Sequence, residues 1–215
     1  MEIGIIGAGT VAQAFSKKAI GAGHQVVLSN SGAPEKLAGV IGRLGSGASA
    51  APAAIAAEKP IVLLAVPWPK VEAALHGLPA WRGQVLIDAT NALRDGTPTQ
   101  GLVDFHDGSS SEHVAALAPG ARVVKAMNTL FMGNFAAEAR DGRFRRAVLV
   151  SGDDHDAKST VADLFESFGF APIDLGSLKV GGRIQAVGGP IAGHDFFLPW
   201  PAPRAFPLSV ERPEG

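Results

Sequence analysis

Residues 3–12 read Ile-Gly-Ile-Ile-Gly-Ala-Gly-Thr-Val-Ala, and this segment points to one class of fold. An apolar run passes into a glycine turn and then into a helical pattern, the setting in which Gly-x-Gly-x-x-Gly/Ala indicates a dinucleotide site. Gly7 permits the tight turn, Gly9 lets a pyrophosphate approach the backbone, and Ala12 lets the helix pack closely. The free N–H groups near Thr10 and Val11 then face the anion. A bare turn is the alternative interpretation.

The composition predicts a globular protein with one main domain. The 215 residues are 47% hydrophobic, which is enough for a sizeable core. A net charge of −1 without a basic stripe argues against nucleic acid as a partner, and the lack of cysteine excludes disulfides and thiolate sites. No signal-peptide pattern or run of about 18 apolar residues is present, so we expect a cytoplasmic protein with no membrane partner.

Short apolar runs alternate with longer helical patterns, which predicts an α/β fold with a doubly wound parallel sheet buried on both faces. Strands are expected at 2–6, 25–29, 61–66, 84–88, 122–127, 145–150 and 171–174. Helices are expected at 10–21, 34–43, 52–57, 69–77, 109–118, 131–139, 155–168 and 180–188. A short strand within 44–51 stays open, and 95–108 is expected to be a surface loop.

We divide the chain into a dinucleotide-binding domain, residues 1–178, and a C-terminal helical or irregular extension, residues 179–215, that contributes to a substrate site or a dimer. Five prolines between positions 199 and 213 exclude a long helix from the tail. We expect this tail to wrap the domain or another subunit, anchored by Phe196, Phe197 and Trp200.

In a doubly wound sheet, ligands bind beyond the carboxyl ends of the strands. The second strand ends in Ser29, Asn30 and Ser31, without the acidic residue that accepts from the ribose 2′-hydroxyl of NAD. Its absence favours NADP over NAD. The alternative is a plain turn, in which Ser and Asn are common.

Three further strand ends supply candidates for the nicotinamide side of the site. These are Val66, Pro67, Trp68, Ala89, Asn91, Met127 and Asn128. For Trp68 the alternative is simple packing, and for Asn128 it is a cap on the following helix. Lys125 is the only strand-end candidate for a proton relay, with pairing to an acid or phosphate as the alternative. Residues 153–156, Asp-Asp-His-Asp, precede a helix, so capping explains them better than a metal site and no metal is expected.

The ordered set of segments at 7–12, 28–31, 65–68, 88–91, 124–129 and 151–154 resembles the coenzyme F420-dependent NADP oxidoreductase family. The same domain resembles the cytosolic reductase part of the STEAP ferric reductases, and the resemblance runs from residue 1 to about 198. It implies a Rossmann domain with NADP bound through the glycine turn and residues 29–31. It also implies a deazaflavin (F420) or flavin ring as the small-molecule substrate laid against the nicotinamide, and usually a homodimer.

Two departures from the family pattern bear on specificity. Many members have Arg directly after the Ser that ends the second strand, to hold the 2′-phosphate. This chain has Gly32 there, so Arg43 or Lys36 would have to substitute. Residues 188–190, Gly-Gly-Pro, break the expected helix in the part that builds the second-substrate pocket in the family.

The first hypothesis is therefore an NADP-dependent oxidoreductase that transfers hydride between the nicotinamide and a deazaflavin or flavin-like acceptor. The missing general acid agrees with it, because the protein mainly has to hold two rings at reaction distance and exclude water. An NADP(H)-binding sensor without turnover is a second hypothesis. A small-metabolite dehydrogenase is a third, although such enzymes typically carry a large helical domain after about residue 170.

Overall fold

A mostly parallel sheet with helices on both faces forms the centre of the structure, a computed structural model that describes residues 1–201. The strands are β1 (Glu2–Ile6), β2 (Gln25–Ser29), β3 (Ala48–Ala50), β4 (Ile61–Leu64), β5 (Val85–Asp88), β6 (Arg122–Ala126), β7 (Arg140–Asp141), β8 (Phe144–Gly152), β9 (Ala171–Asp174) and β10 (Phe197–Pro199). The helices are α1 (Thr10–Gly21), α2 (Ala38–Leu44), α3 (Ala53–Ala57), α4 (Val71–Leu75), α5 (Ser110–Leu117), α6 (Met132–Ala136), α7 (His155–Ser167) and α8 (Val180–Gln185). Single 3₁₀ turns cover Pro34–Leu37, Trp68–Lys70 and Pro98–Gln100.

The sheet order confirms the predicted fold class. The strands lie side by side as β3, β2, β1, β4, β5 and β6, and all six are parallel. The prediction of a parallel sheet fails beyond β6, because β8 is antiparallel to β6 and β9 pairs in parallel with β8. The chain turns at Gly142, with φ +55°, between β7 and β8, and this hairpin sends β8 back in the opposite direction.

Strand β4 shows why the sheet lies at the centre. Its four residues alternate between two apolar layers, because successive side chains of a strand point to opposite faces. Ile61 and Leu63 belong to the layer that contains Phe15, whereas Val62 and Leu64 belong to the layer that contains Trp81. All four strand residues are buried. The expectation of burial on both faces is therefore confirmed, and the free edge formed by the carboxyl ends of the strands is left for ligands.

The end of the described chain returns along β8. Strand β10 pairs antiparallel with the start of β8, and the Arg146 guanidinium lies 4.7 Å from the ring centroid of Phe197. Trp200 Nε1 donates to Glu166 Oε1 at 3.1 Å. Phe197 and Trp200 thus contact the domain as expected, whereas the Phe196 ring stacks on the neighbouring His194. The wrapping of the tail stays a prediction. The remaining prolines of the tail, at 203, 207 and 213, lie outside the described residues, and the domain boundary at 178 stays a prediction.

Within the described part, no helix combines the length and apolarity needed to cross a bilayer.

Candidate functional site

The glycine turn after β1 leaves an open surface where α1 begins. Gly7 has φ +122°, and a side chain there would collide with the Ala65 carbonyl. Gly9 is the N-cap of α1, and a Cβ built on it meets no heavy atom within 4 Å. No side chain caps α1 and its first turn holds no acid, so its leading N–H groups are free to bind an anion. Ala12 is fully buried on the inner face of α1, while Thr10 and Val11 contribute backbone to the first turn.

A cleft of about 500 Å³ opens in front of this turn, between the ends of β1, β2 and β4. This volume lies in the range of ligand pockets. The predicted residues that line it are Gly7, Gly9, Asn30, Ser31, Val66 and Pro67. Ala53, Lys70, Ala74 and His76 also line the cleft, on or beside α3 and α4. Sequence reasoning missed these residues because it followed strand ends and no motif marks the helices.

Of the three predicted residues at the end of β2, one is buried in the sheet and two line the cleft. Ser29 is 1% exposed, and its Oγ donates to the Ile5 carbonyl at 2.9 Å, so the structure does not bring its side chain into the cleft. Asn30 and Ser31 do line the cleft, and Asn30 Oδ1 accepts from the Gly32 N–H at 2.9 Å. A Cβ on Gly32 would lie 3.5 Å from Lys36 Nζ. The Lys36 ammonium therefore lies beside Gly32, as the substitution expected from the sequence requires.

A second pocket of about 250 Å³ lies further along the same edge, at the ends of β5 and β6. It is walled by Asn91, by residues 102–106 of the predicted surface loop, by the start of α5 and by residues 186–189 after α8. The same loop contacts both sites. Residues 102–106 wall the second pocket, and a Cβ on Gly96 would lie 3.4 Å from Pro67 Cβ, which lines the cleft. The helix predicted over 180–188 ends at Gln185, and the glycine-rich segment beyond it becomes pocket wall.

Asn128 holds Asn91 in place at this pocket. Asn91 Nδ2 donates to the Asn128 carbonyl at 3.3 Å, and Asn128 Nδ2 donates to the carbonyl of Gln185 at 2.5 Å. The capping interpretation of Asn128 is wrong, because the N-cap of α6 is Phe131 and no side chain bonds there. Met127, 1% exposed, has φ +70°, a strained conformation for a residue with a side chain.

Three further predicted residues, Trp68, Ala89 and Met127, line neither pocket, and the same is true of Thr10, Val11, Ala12, Ser29 and Asn128. Ala89 and Met127 are buried, and Met127 belongs to the core. The Trp68 ring packs edge-on against Phe105 at 5.4 Å, with His113 at 5.7 Å. Trp68 therefore packs as the alternative interpretation predicted, against the loop that walls the second pocket.

Lys125 pairs with an acid, as the alternative to a proton relay predicted. Its Nζ lies 3.2 Å from Asp88 Oδ2, and both side chains are buried. Burial alone would raise the pKa of the Asp88 carboxyl. The Lys125 ammonium and the hydrogen bonds from Ser111 and Thr90 outweigh burial, so the pKa is lowered and the carboxylate is favoured.

The acidic segment before α7 behaves as a cap. Asp154 is the N-cap, and its Oδ1 accepts from the Ala157 N–H at 2.7 Å, which confirms the prediction. Within residues 1–201, no group of three or more His, Cys, Asp or Glu side chains is arranged to hold a metal ion.

A glycine turn at an uncapped helix, opening on a cleft along the carboxyl edge of a mostly parallel sheet, defines a Rossmann-type dinucleotide-binding protein. The profile of the family described as "NADP oxidoreductase coenzyme F420-dependent" matches residues 2–92. This match, together with the relatives below, relates the chain to this family of NADP-dependent oxidoreductases.

Known proteins resemble the chain well beyond these 91 residues. Metalloreductase STEAP3 of Rattus norvegicus is 30% identical over 187 residues, 86% of this chain, and the chain spans 36% of the length of that relative. A hypothetical protein, SMa0349, from Sinorhizobium meliloti superposes with a TM-score of 0.85 and 35% identity over 92% of this chain and 96% of its own. A "putative f420 dependent nadp-reductase" from Arthrobacter sp. FB24 has a TM-score of 0.71 and 29% identity over 83% of this chain and 86% of its own.

Proposed function

We propose that the protein transfers hydride between NADP and a deazaflavin (F420) or flavin-like ring. The observation that carries the proposal is the presence of two sites along one sheet edge, both contacted by the loop after β5: a cleft at the glycine turn and a smaller pocket at Asn91. A dinucleotide that runs along this edge from the end of β2 to the end of β5 would bring its nicotinamide to the mouth of the second pocket.

The residues of the cleft fit NADP(H). The open face of Gly9 and the uncapped start of α1 would bind the pyrophosphate. Asn30 and Ser31 would contact the adenosine ribose, and Lys36 would pair with its 2′-phosphate. When bound, NADPH supplies the hydride. Asn91, fixed by Asn128, would orient the nicotinamide ring, and the walls of the second pocket would hold the acceptor against it and exclude water.

The Gly9→Asp variant tests the cofactor site. We expect about 100-fold weaker NADPH binding, because a carboxylate would face the pyrophosphate and like charges in contact cost several kcal/mol. Fold stability should change little, since the space above Gly9 is open. Gly21→Asp is the matched control, because it adds the same side chain at the other end of α1, also into open space. Unchanged NADPH affinity in Gly9→Asp would refute the site.

The acceptor is tested by titration with NADPH, NADP, NADH and NAD, followed by rapid mixing of the NADPH complex with F420 and with FMN. We expect tight NADPH binding and fast bleaching of at least one ring. Tight binding without bleaching of either ring would contradict the proposed acceptor and favour the sensor function.

A further inference from the structure

The second pocket has a buried ion pair at its floor. Lys125 lines the pocket, although its side chain is only 1% exposed, whereas its partner Asp88 is fully buried and does not line it. The pair joins the ends of β5 and β6, which are neighbouring strands. Lys125 is therefore the member of the pair that lines the pocket, and the Asp88 carboxylate is not.

Both oxygens of the Asp88 carboxylate accept further hydrogen bonds from the protein. Its Oδ1 accepts from the N–H of Thr90 at 2.9 Å and from the hydroxyl of Thr90 at 2.6 Å. Its Oδ2 accepts from the Ser111 hydroxyl at 2.5 Å and from Lys125. These bonds fix the carboxylate behind the ammonium, so the orientation of the pair is set by the fold.

The Lys125 ammonium retains donor capacity. Within the described part of the chain its Nζ has two acceptors, Asp88 Oδ2 and the Thr90 carbonyl, each at 3.2 Å. An ammonium carries three N–H groups, so one remains for a ligand. The other ionisable groups around the pocket are exposed: Arg183, and the neighbouring His106 and Asp104, whose side chains lie 3.5 Å apart. Lys125 is thus the buried charge among the described residues that line this pocket.

We propose that Lys125 makes the second pocket selective for a conjugated imide-type ring that carries negative charge in its reduced state. This inference deepens the proposed function and rests on it. When the C4–H bond of the reduced nicotinamide breaks, its electron pair forms the new bond to hydrogen on the acceptor. The nicotinamide becomes a cation and the acceptor ring gains one negative charge, delocalised onto its imide oxygens. Lys125 would stabilise that charge by a charge-assisted hydrogen bond, and the step takes no proton from it.

Binding of two small rings tests this role without any turnover. Barbiturate is anionic at neutral pH and uracil is neutral, and both present the same imide edge. In the presence of saturating NADP, we expect the wild-type protein to bind barbiturate about tenfold more tightly than uracil, a difference of about 1.4 kcal/mol. The Lys125→Met/Asp88→Asn variant, which removes both charges and keeps an amide for Thr90 and Ser111, should bind the two rings equally.

Two control variants separate the charge of Lys125 from a structural effect. Asp88→Asn keeps the ammonium and should keep the preference for barbiturate. Lys158→Met/Asp174→Asn removes a Lys–Asp pair between α7 and β9, with Nζ 2.8 Å from the carboxylate, and should also keep it. Unchanged NADPH affinity in every variant shows that the cofactor site is intact. Equal binding of both rings by the wild type, or a preference that survives loss of Lys125, would overturn the inference.

Ring binding and ring bleaching together separate failure of the role of Lys125 from failure of the proposed function. If the barbiturate preference is present and depends on Lys125, while neither F420 nor FMN is bleached, the role of Lys125 stands and the proposed acceptor is wrong. If a ring is bleached while barbiturate and uracil bind equally, the proposed function stands and the role of Lys125 is wrong.

Discussion

The two glycines of the turn have different physical requirements, although they lie two residues apart. Gly7 needs the absence of a side chain for folding, because its φ is positive and the Ala65 carbonyl fills the space. Gly9 has ordinary backbone angles and open space, so the fold does not require its lack of a side chain, which we propose serves the ligand.

This difference predicts opposite outcomes for two alanine variants. Gly7→Ala should lower the free energy of unfolding by about 2 to 3 kcal/mol or more, through backbone strain and the collision. Gly9→Ala should leave that free energy nearly unchanged and weaken NADPH binding. Urea unfolding and a fluorescence titration of each variant measure the two effects. Equal stabilities of the two variants would contradict the assignment.

Lys36 is expected to supply the preference for NADP. Its ammonium lies beside Gly32, the residue after Ser31, which lines the cleft. Lys36→Gln should therefore weaken NADPH binding about tenfold, the loss of a charge-assisted contact of about 1.4 kcal/mol, and leave NADH binding unchanged. Arg43→Gln is the control, because the Arg43 guanidinium lies beside Gly39 along α2. If Arg43→Gln had the larger effect on NADPH, the phosphate would have a different partner.

At the scale of helices and strands, the sequence predicted which segments end at the ligand edge but not where each side chain points. The glycine turn and the ends of β2 and β4 lie at the cleft as expected, because strand periodicity and turn residues are local signals. The inward hydroxyl of Ser29 and the packing of Trp68 depend on contacts with distant segments, namely β1 and the loop at Phe105. The reversal of β8 depends on the hairpin at Gly142, which the alternation of elements did not reveal.

The link between β5 and β6 predicts a dependence of stability on pH. The pKa of Asp88 is lowered in the folded protein from an ordinary value of 3.8. The ionised carboxylate therefore contributes fully to the free energy of unfolding above that value, and this contribution is lost as the pH falls through the folded pKa. Between pH 5 and pH 2.5, the wild type should therefore lose stability more steeply than Lys125→Met/Asp88→Asn. Urea unfolding across this range, with Lys158→Met/Asp174→Asn as control, measures the difference. Parallel pH profiles of the wild type and the first variant would contradict the prediction.

At the scale of the whole molecule, the chain spans about a third of the length of STEAP3 and nearly all of the Sinorhizobium protein. The family, the fold and the glycine turn could be inferred from sequence, because they are written in contiguous motifs. The second pocket could be inferred only in part: the resemblance pointed to residues 188–190, but the loop after β5 and the end of β6 meet that segment only in three dimensions.

The central claim is direct hydride transfer between the nicotinamide and a second ring. It is tested by mixing the protein with F420 and NADPH that carries deuterium at one or the other face of C4, followed by mass spectrometry of the reduced F420. Since a deazaflavin accepts hydride on carbon, the label cannot wash out. We predict that the deuterium from one face appears on reduced F420 or, where FMN is the acceptor, that this label slows the bleaching of FMN. Absence of both effects would contradict the account.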